Sequence, residues 1–232
     1  MSTTRFDNYV HTEWQRFVGN PARMRASLVA VDGVEVARVL DVGCGAGQEL
    51  LPFVAERKAL GVGIDLDPQV GRSGRELFAS CGHSDSVIFM RATAEMLPFR
   101  AQLFDVVICR IALPYMDNRR ALGEMARVLR PRGVFLLKIH HARFYLHELR
   151  RSLASLRVRS VIHDLRVLVA GTMYHIFGKQ PHNRLTGGEV FQTRWLLERE
   201  LKRCGLSITG EMPDSNPFTP SFIITKESGS QI

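Results

Sequence analysis

Three glycines and two carboxylates at fixed spacing are the residues of this chain most able to do chemistry. The stretch VLDVGCGAG places Gly43, Gly45 and Gly47 directly after an apolar run that contains Asp41. Glycines in such a loop let a ligand approach the backbone closely. About 20 residues beyond Gly45, the stretch GVGIDLDP ends a second apolar run with Asp65. An acid at that position accepts hydrogen bonds from ribose hydroxyls in nucleotide-binding folds.

The spacing within the loop separates several kinds of ligand. A dinucleotide fingerprint, G-x-G-x-x-G, needs a third glycine where Gln48 stands, and no G-x-x-x-x-G-K-[ST] phosphate loop lies nearby. A carboxylate at Asp41 would repel phosphate, but it suits a ligand that carries an ammonium group. The residues therefore favour a ligand with a ribose, a cationic amino-acid tail and no phosphate.

The elements that must position these residues alternate along the chain. Near-continuous apolar runs such as FDVVIC are typical of strands buried on both faces of a parallel sheet. Alternation of such strands with helices predicts right-handed β-α-β units in a doubly wound α/β layer. RPRG is expected to stop the last of the predicted helices, and Pro52 predicts a kink or a late start in the first. The predicted strands are 36–42, 61–66, 87–90, 104–109 and 134–139, and the predicted helices are 48–57, 68–80 and 118–130.

A long Arg-rich segment, 140–184, interrupts this alternation where a compact α/β unit needs only a short connection. Its apolar positions recur at helical spacing, which predicts an amphipathic helix or a pair of helices. The Arg stripe is consistent with a solvated face, a membrane-surface contact for a lipid-soluble acceptor, or an anion site. The apolar residues are Leu146, Leu149, Leu153 and Leu156, then Val161, Leu165, Leu168 and Val169, and the arginines are Arg143, Arg150 and Arg157.

Length and composition predict one soluble globular domain. The chain has 232 residues, of which 45% are hydrophobic and 23% charged. Its net charge of +8 fits nucleic acid, anionic membranes, acidic substrates or an inert basic surface. The beginning of the chain, MSTTRFDNYV, has no apolar signal segment, and the four cysteines contain no C-x-x-C pair. We therefore expect a reduced, cytoplasmic protein without a zinc site or a disulfide framework.

Four motifs in order carry a family resemblance: VLDVGCGAG, GVGIDLDP, ATAEMLPFRAQLFDVVIC and ALGEMARVLRPRGVFLL. They resemble the class I S-adenosylmethionine-dependent methyltransferases, in the small-molecule branch that includes ubiquinone and menaquinone biosynthesis. The resemblance is strong over 36–139. It implies a Rossmann-like, doubly wound, seven-stranded, mostly parallel sheet with an antiparallel edge hairpin and a helical cap insertion. In that hairpin SFIITKE would be the last strand, and TRWLLERELKRCG would be the helix before it.

The same resemblance divides the single domain, 1–232, into four parts. Residues 1–35 form an N-terminal helical lid, and 36–139 form the cofactor-binding core. Residues 140–184 form the cap over the acceptor pocket, which would make this segment responsible for acceptor specificity. Residues 185–232 supply the C-terminal helix and the edge hairpin.

The resemblance also assigns cofactor contacts. The backbone around Gly43, Gly45 and Gly47 would pack under the methionine and ribose parts of S-adenosylmethionine. Asp41 would hold the loop, or hold the ammonium through water, and Asp65 would take the ribose diol. The remaining implied contacts are Leu66 against the adenine, the Thr93 hydroxyl or Ala94 backbone at its amine, Cys109 and Arg110 lining the cleft, and Tyr9 in the lid. Thr93 stands where the family usually has an acid, and Glu95 also falls near the adenine in the family pattern.

Catalysis by such a protein requires positioning, exclusion of water and, for a weak nucleophile, deprotonation. His140 and His141 directly follow the fifth predicted strand, and Tyr115 follows the fourth. A histidine pKa near neutrality suits a general base, whereas a polar cap on a loop is the alternative role. The ALPY stretch lacks the asparagine of the N-P-P-Y signature, which argues against methylation of DNA adenine or glutamine.

The sequence thus predicts an S-adenosylmethionine-dependent methyltransferase that acts on a small, hydrophobic acceptor and releases S-adenosylhomocysteine, with no metal ion. The net charge keeps an RNA methyltransferase as an alternative, although no RNA-binding module is recognisable. A non-catalytic S-adenosylmethionine-binding scaffold protein is the other alternative, because Thr93 departs from the family pattern.

Overall fold

The computed structural model describes residues 3–67, 69–181 and 188–227. Within them a seven-stranded sheet has the order β3-β2-β1-β4-β5-β7-β6. Strands β1 to β5 run parallel, whereas β7 pairs antiparallel with both β5 and β6. This confirms the predicted doubly wound sheet with an antiparallel edge hairpin. The strands are β1 Arg38–Val42, β2 Leu60–Asp65, β3 Val87–Arg91, β4 Phe104–Arg110, β5 Leu129–Lys138, β6 Leu206–Glu211 and β7 Ser221–Lys226.

Helices cover both faces of the sheet and form two apolar layers. Neighbouring strand residues alternate between the layers, as the pleat requires: Val39 and Val106 pack with Phe17, while Leu40 and Val107 lie on the opposite side. Short polar side chains begin several helices, as Asp117 does by accepting from the Arg120 amide at 3.2 Å. The helices are α1 Thr3–Val18, α2 Pro21–Ala30, α3 Leu51–Arg57, α4 Val70–Ser80, α5 Asn118–Val128, α6 Ala142–Ala154, α7 Val158–Phe177 and α8 Arg194–Lys202.

Several predicted boundaries shift by one or two residues, and two change for an identifiable physical reason. Residues 48–50 form a 3₁₀ turn and α3 begins at Leu51, so Pro52 occupies the first helical turn, where its missing N–H costs no hydrogen bond. The late start is therefore the correct one of the two predicted outcomes. The prediction that RPRG stops a helix at residue 130 is wrong. The α5 helix ends at Val128 and β5 already begins at Leu129, with an irregular register near Arg132, whose φ is 60°. A proline is tolerated in a strand at such an irregularity.

The ring of Phe89 explains why three positions close to it are glycines. A Cβ added to Gly47, Gly63 or Gly74 would lie 2.5, 2.7 or 2.8 Å from atoms of the Phe89 ring. Those distances are shorter than any comfortable contact, so β3 can bring Phe89 this close only to residues without side chains. The loop after β1 is thereby packed down onto the core.

The inserted segment forms an antiparallel pair of helices, which we call the α6–α7 hairpin (residues 142–177). The Ser152 hydroxyl donates to Asp164 at 3.1 Å inside the pair. On α7, Gly171 lies against Phe191, where a Cβ would come within 2.3 Å of the ring. The helical character of the insertion is confirmed; residues 182–184 at its end lie outside the described residues. No helix in the described ranges is long and apolar enough to cross a membrane.

Candidate functional site

A cavity of about 900 Å³ opens at the carboxyl ends of the parallel strands. Each of the five parallel strands ends at this edge of the sheet, as doubly wound folds require, and each contributes to the lining itself or through the residues that follow it. The contributions include Asp41 from β1, Asp65 from β2, Ala94 after β3, Arg110 from β4 and Lys138 from β5. Asp41, Asp65, Ala94 and Arg110 were predicted as site residues, and the structure brings them together.

The three loop glycines share a backbone conformation but have different surroundings. All three have positive φ, with values of 71°, 53° and 74° for Gly43, Gly45 and Gly47. Gly43 lines the cavity and lies against Ala112, where a Cβ would come within 2.4 Å. Gly45 is also absent from the lining, but a Cβ on it would meet nothing within 4 Å. Gly47 is outside the cavity lining and packs on Phe89, so its predicted place under a ligand is corrected to a packing role.

Asp65 connects β2 to the glycine loop. One carboxylate oxygen accepts from the Gly45 amide at 3.0 Å, and the other accepts from the Asp67 amide at 3.0 Å. Each oxygen keeps a further lone pair, and Asp65 lines the cavity. Leu66 follows it with 63% of its surface exposed, which leaves an apolar face beside the carboxylate.

Asp41 is buried at the base of the cavity, and its Oδ2 atom has no hydrogen-bond partner among the described residues. Burial raises the pKa of this carboxyl well above its usual range, and the neighbouring Glu49 and Asp65 carboxylates raise it further. A buried acceptor without a partner costs free energy unless another group satisfies it. Asp41 is therefore suited to receive a donor or a cation from a ligand.

A network of ion pairs, which sequence reasoning missed, forms one wall of the cavity. Arg110 pairs with Glu49 at 3.0 Å and also with Asp214, and Lys138 contacts Asp214 at 2.9 Å. Burial would raise the pKa of Asp214, but Arg110 and Lys138 together lower it. Lys138 ends a strand, so the rule that identified Arg110 would also have found it. Asp214 lies in the β6–β7 loop, 104 residues from Arg110, and no local sequence pattern indicates the contact.

A second missed contact lies in the same wall. Arg23, from the start of α2, donates to Glu49 at 2.9 Å. Both residues line the cavity, although neither belongs to a recognisable motif. This pair connects the N-terminal helices to the edge of the glycine loop.

Glu95 is another acid in the cavity lining. The Thr93 hydroxyl donates to Glu95, and the Asp117 amide donates to its other oxygen at 2.8 Å. Burial opposes ionisation of Glu95, but these hydrogen bonds lower its pKa. Thr93 is absent from the lining, so its predicted contact with a ligand is replaced by support of Glu95.

His140 lines the cavity but is not poised near neutrality. It is 8% exposed, stacks on Phe144 with ring centroids 4.2 Å apart, and contacts the Tyr145 hydroxyl through Nδ1 at 3.3 Å. Burial, with a smaller contribution from Lys138, lowers the pKa of His140 to about 4. The expectation of a near-neutral histidine is therefore wrong for this residue. Since Tyr145 donates to Glu189 at 2.8 Å, its oxygen accepts from the Nδ1–H of His140, and Nε2 is left as the acceptor nitrogen.

Of the remaining predicted residues, two lie outside the cavity lining, one lies in it, and one has a side chain that the structure does not describe. His141 is outside the lining and accepts from the Arg143 amide at 3.2 Å, which is the capping role given as its alternative. Cys109 is fully buried in the core, with a thiol pKa raised to about 12 by burial, and does not line the cavity. Tyr115 does line it and is 62% exposed. The side chain of Tyr9 lies outside the described residues.

The described part of the α6–α7 hairpin contributes no residue to the cavity lining. The expected cap over an acceptor pocket is thus a flanking element in the described structure. It reaches the rim through Tyr145, which contacts His140, and through His147, whose ring lies 5.3 Å from that of Phe218.

The chain matches known proteins over its core. Residues 40–137 match the methyltransferase domain family. The uncharacterized methyltransferase YcgJ of Bacillus subtilis is 39% identical over 109 residues, 45% of this chain and 41% of YcgJ. The ubiquinone/menaquinone biosynthesis C-methyltransferase UbiE of Hahella chejuensis is 33% identical over 131 residues, 55% of this chain and 49% of UbiE. The chain thus spans about half or less of the length of these relatives.

A solved structure extends the likeness to the whole fold. The crystal structure of YcgJ superposes with a TM-score of 0.59 at 19% identity, over 88% of this chain and 98% of that one. The sheet order, the glycine loop and the carboxylate that ends β2 define a doubly wound, Rossmann-like α/β fold. More particularly, residues 40–137 resemble the methyltransferase domain family, and this core is similar to the methyltransferases YcgJ and UbiE.

Proposed function

We propose that this protein transfers a methyl group from S-adenosylmethionine to a small, hydrophobic acceptor. The observation that carries the proposal is the pairing of Asp65, which lines the cavity, with the amide of Gly45 in the glycine loop. It unites the two motifs that favour a ribose and a cationic tail without phosphate. When bound, S-adenosylmethionine supplies a methyl group that is already activated by a sulfonium centre.

The cavity residues fit this cofactor. The unpartnered Oδ2 of Asp41 suits the ammonium of the amino-acid tail, directly or through water. The free lone pairs of Asp65 suit the ribose diol, and the exposed face of Leu66 suits an adenine ring. We assign the adenine amine to Glu95 or to the backbone of Ala94, since both line the cavity. Gly43 lines the cavity, and the open space beside Gly45 leaves room for the tail.

The chain's contribution to catalysis is mainly positioning and exclusion of water. Burial keeps His140 a neutral imidazole, and the Tyr145–Glu189 pair sets its tautomer, so its Nε2 would accept a hydrogen bond from an acceptor hydroxyl and orient it. Its lowered pKa makes it a weak base. We therefore propose acceptors that are intrinsically nucleophilic or already ionised, with Tyr115 as a second contact at the rim.

Two observations support a small acceptor. UbiE, to which the core is similar, is by name a methyltransferase of quinone biosynthesis. The aromatic side chains of Tyr115 and Phe218 are exposed at the rim of the cavity or beside it, and they suit an apolar molecule better than a nucleic-acid backbone. We assign the reaction to the cytoplasm, because its reducing conditions suit the four cysteines, all present as free thiols.

The proposal is tested with methyl-labelled S-adenosylmethionine and cell extract separated into small-molecule, lipid and RNA fractions. We expect label in the small-molecule or lipid fraction, and much less label with an Asp65→Ala variant when the cofactor is kept below saturation. Label in RNA would instead establish the RNA methyltransferase. Tight cofactor binding without transfer to any fraction would establish the scaffold protein.

A further inference from the structure

The α7 helix is apolar on both of its faces, but only one face is covered. Its inner residues Val167, Ala170, Gly171 and Tyr174 are buried against the domain. Its outer residues are between 40% and 68% exposed, and they are Val158, Ile162, Leu165, Val169, Met173 and Ile176. We call these six residues the apolar stripe. A helix that is apolar all round is normally buried all round.

The spacing of the apolar stripe makes it continuous. Its members recur every three or four residues from Val158 to Ile176, so they share one side of the helix over about 27 Å. Exposed aliphatic side chains that stand singly are ordinary on a protein surface, but a contiguous row marks an interaction surface.

The surroundings of the stripe are strongly basic. Residues 142–179 carry seven basic and two acidic side chains, a net charge of +5 out of the +8 of the whole chain. Both acids are already engaged: Asp164 is buried and accepts from Ser152, and Glu148 pairs with Arg151 at 2.9 Å. The cationic excess is therefore available to an anionic partner.

The arginines lie beside exposed apolar side chains. On α6, Arg143 and Arg150 are exposed and alternate with the exposed Leu146 and Leu153 at helical spacing. On α7, Arg159 directly follows Val158, so it lies about 100° around the helix from the stripe. Apolar residues bordered by arginines are the pattern of helices that lie in a membrane interface.

We propose that the exposed face of the α6–α7 hairpin docks on an anionic membrane surface, with α7 lying in the plane of the interface. Shallow insertion fits the finding that no described helix can span a bilayer. A second copy of the chain is a poorer occupant, because two copies of segment 142–179, each with a net charge of +5, would repel each other. The proposal does not depend on methyl transfer.

The hairpin also lies next to the cavity rim. His147 of α6 contacts the ring of Phe218, which immediately precedes the cavity-lining residue Thr219. A docked hairpin would therefore hold the cavity close to the lipid phase, from which a hydrophobic molecule could be drawn.

The test is flotation of the full chain with vesicles, without cofactor. Vesicles of phosphatidylcholine alone are compared with vesicles that also contain phosphatidylglycerol. We expect binding to the anionic vesicles, weakened when the salt concentration rises from about 0.1 M to about 1 M, which shortens the screening length from about 10 Å to about 3 Å. Binding that is equal for both vesicle types, or absent, would overturn the proposal.

Two variants locate the surface. Ile162→Ser/Val169→Ser/Met173→Ser should weaken binding at least tenfold, whereas Val18→Ser/Val29→Ser/Ile88→Ser, equally exposed elsewhere, should leave it unchanged. Arg143→Gln/Arg150→Gln/Arg157→Gln leaves the apolar stripe intact but lowers the net charge of 142–179 from +5 to +2, so it should weaken binding to anionic vesicles and reduce the salt dependence. Thermal unfolding verifies that each variant is folded. If neither the stripe variant nor the arginine variant loses binding, the proposal is wrong. It is equally wrong if sedimentation shows a dimer that only the stripe variant dissociates.

Discussion

Asp65 has two partners in the protein and room for a third in the cavity. Asp65→Ala should weaken the binding of S-adenosylmethionine by about 10- to 150-fold, because charge-assisted hydrogen bonds of roughly 1.5–3 kcal/mol are lost. Calorimetric titration measures the affinity. Asp67→Ala is the matched control. Asp67 stabilises the loop after β2, which Asp65 also contacts, by accepting from the Gln69 amide at 2.9 Å, but it is absent from the cavity lining. Equal losses in both variants would mean that Asp65 only braces the loop.

At this scale the sequence locates residues better than it describes their properties. The rule that sites lie at the carboxyl ends of strands correctly brought Asp41, Asp65, Arg110 and His140 to one cavity. It could not give the pKa of His140, because that depends on burial beside Phe144 and Tyr145, which come from the following helix. The role of Thr93 was likewise set by a neighbour, Glu95, whose orientation no pattern indicates.

The glycine loop is the element where conformation and packing can be separated. Gly45→Ala should leave a folded protein, since the added Cβ meets nothing within 4 Å and only the positive φ is unfavourable, by roughly 1–2 kcal/mol. Gly47→Ala should lower the free energy of unfolding further, because its Cβ would also lie 2.5 Å from the Phe89 ring. Urea unfolding compares the two variants.

The affinity of the same variants for S-adenosylmethionine tests whether the loop contacts the cofactor. We expect it to fall in Gly45→Ala despite the intact fold, because the new methyl group occupies the open space assigned to the cofactor's tail. A Gly45→Ala protein that binds normally would place the tail elsewhere. If both variants lose the same stability, Phe89 does not constrain the loop.

The core elements were predictable from their apolar runs, and the errors occur where tertiary pairing prevailed over local signals. The RPRG stretch has the breakers of a helix end, yet Leu129 pairs with Phe104 and the chain enters β5 at once. The spacing of its leucines predicts that the α6–α7 hairpin is helical. Its position beside the cavity depends on contacts with Phe191 and Phe218, two residues that come later in the chain.

At the scale of the whole molecule, Asp214 connects the C-terminal edge hairpin to the cavity wall. Asp214→Ala should lower the free energy of unfolding by about 3 kcal/mol, because Arg110 and Lys138 remain largely buried with a shared counter-charge removed. The exposed Asp32→Ala should change it by less than about 0.5 kcal/mol. Urea unfolding at neutral pH measures both.

The pH dependence follows from the lowered pKa of Asp214. A carboxyl whose pKa is lower in the folded protein stabilises it above the unfolded value of about 3.9 and loses that contribution as the pH falls through the folded value. The difference between wild type and Asp214→Ala should therefore shrink in acid. A difference that stays constant down to the lowest pH at which both fold would exclude the ion pairs as its cause.

The same long-range contact sets an order in time. Arg110 and Asp214 are 104 residues apart, so during synthesis the arginine emerges roughly 5 to 20 s before its partner. Until then β5 lacks β7 as its neighbour, and Arg110 and Lys138 lack their shared carboxylate. Once β5 has been made, all five parallel strands have been synthesised, but Arg110 and Lys138 in the cavity wall still lack the Asp214 carboxylate. The glycine loop, which is made early, must therefore wait for the last hairpin before the site around it is complete.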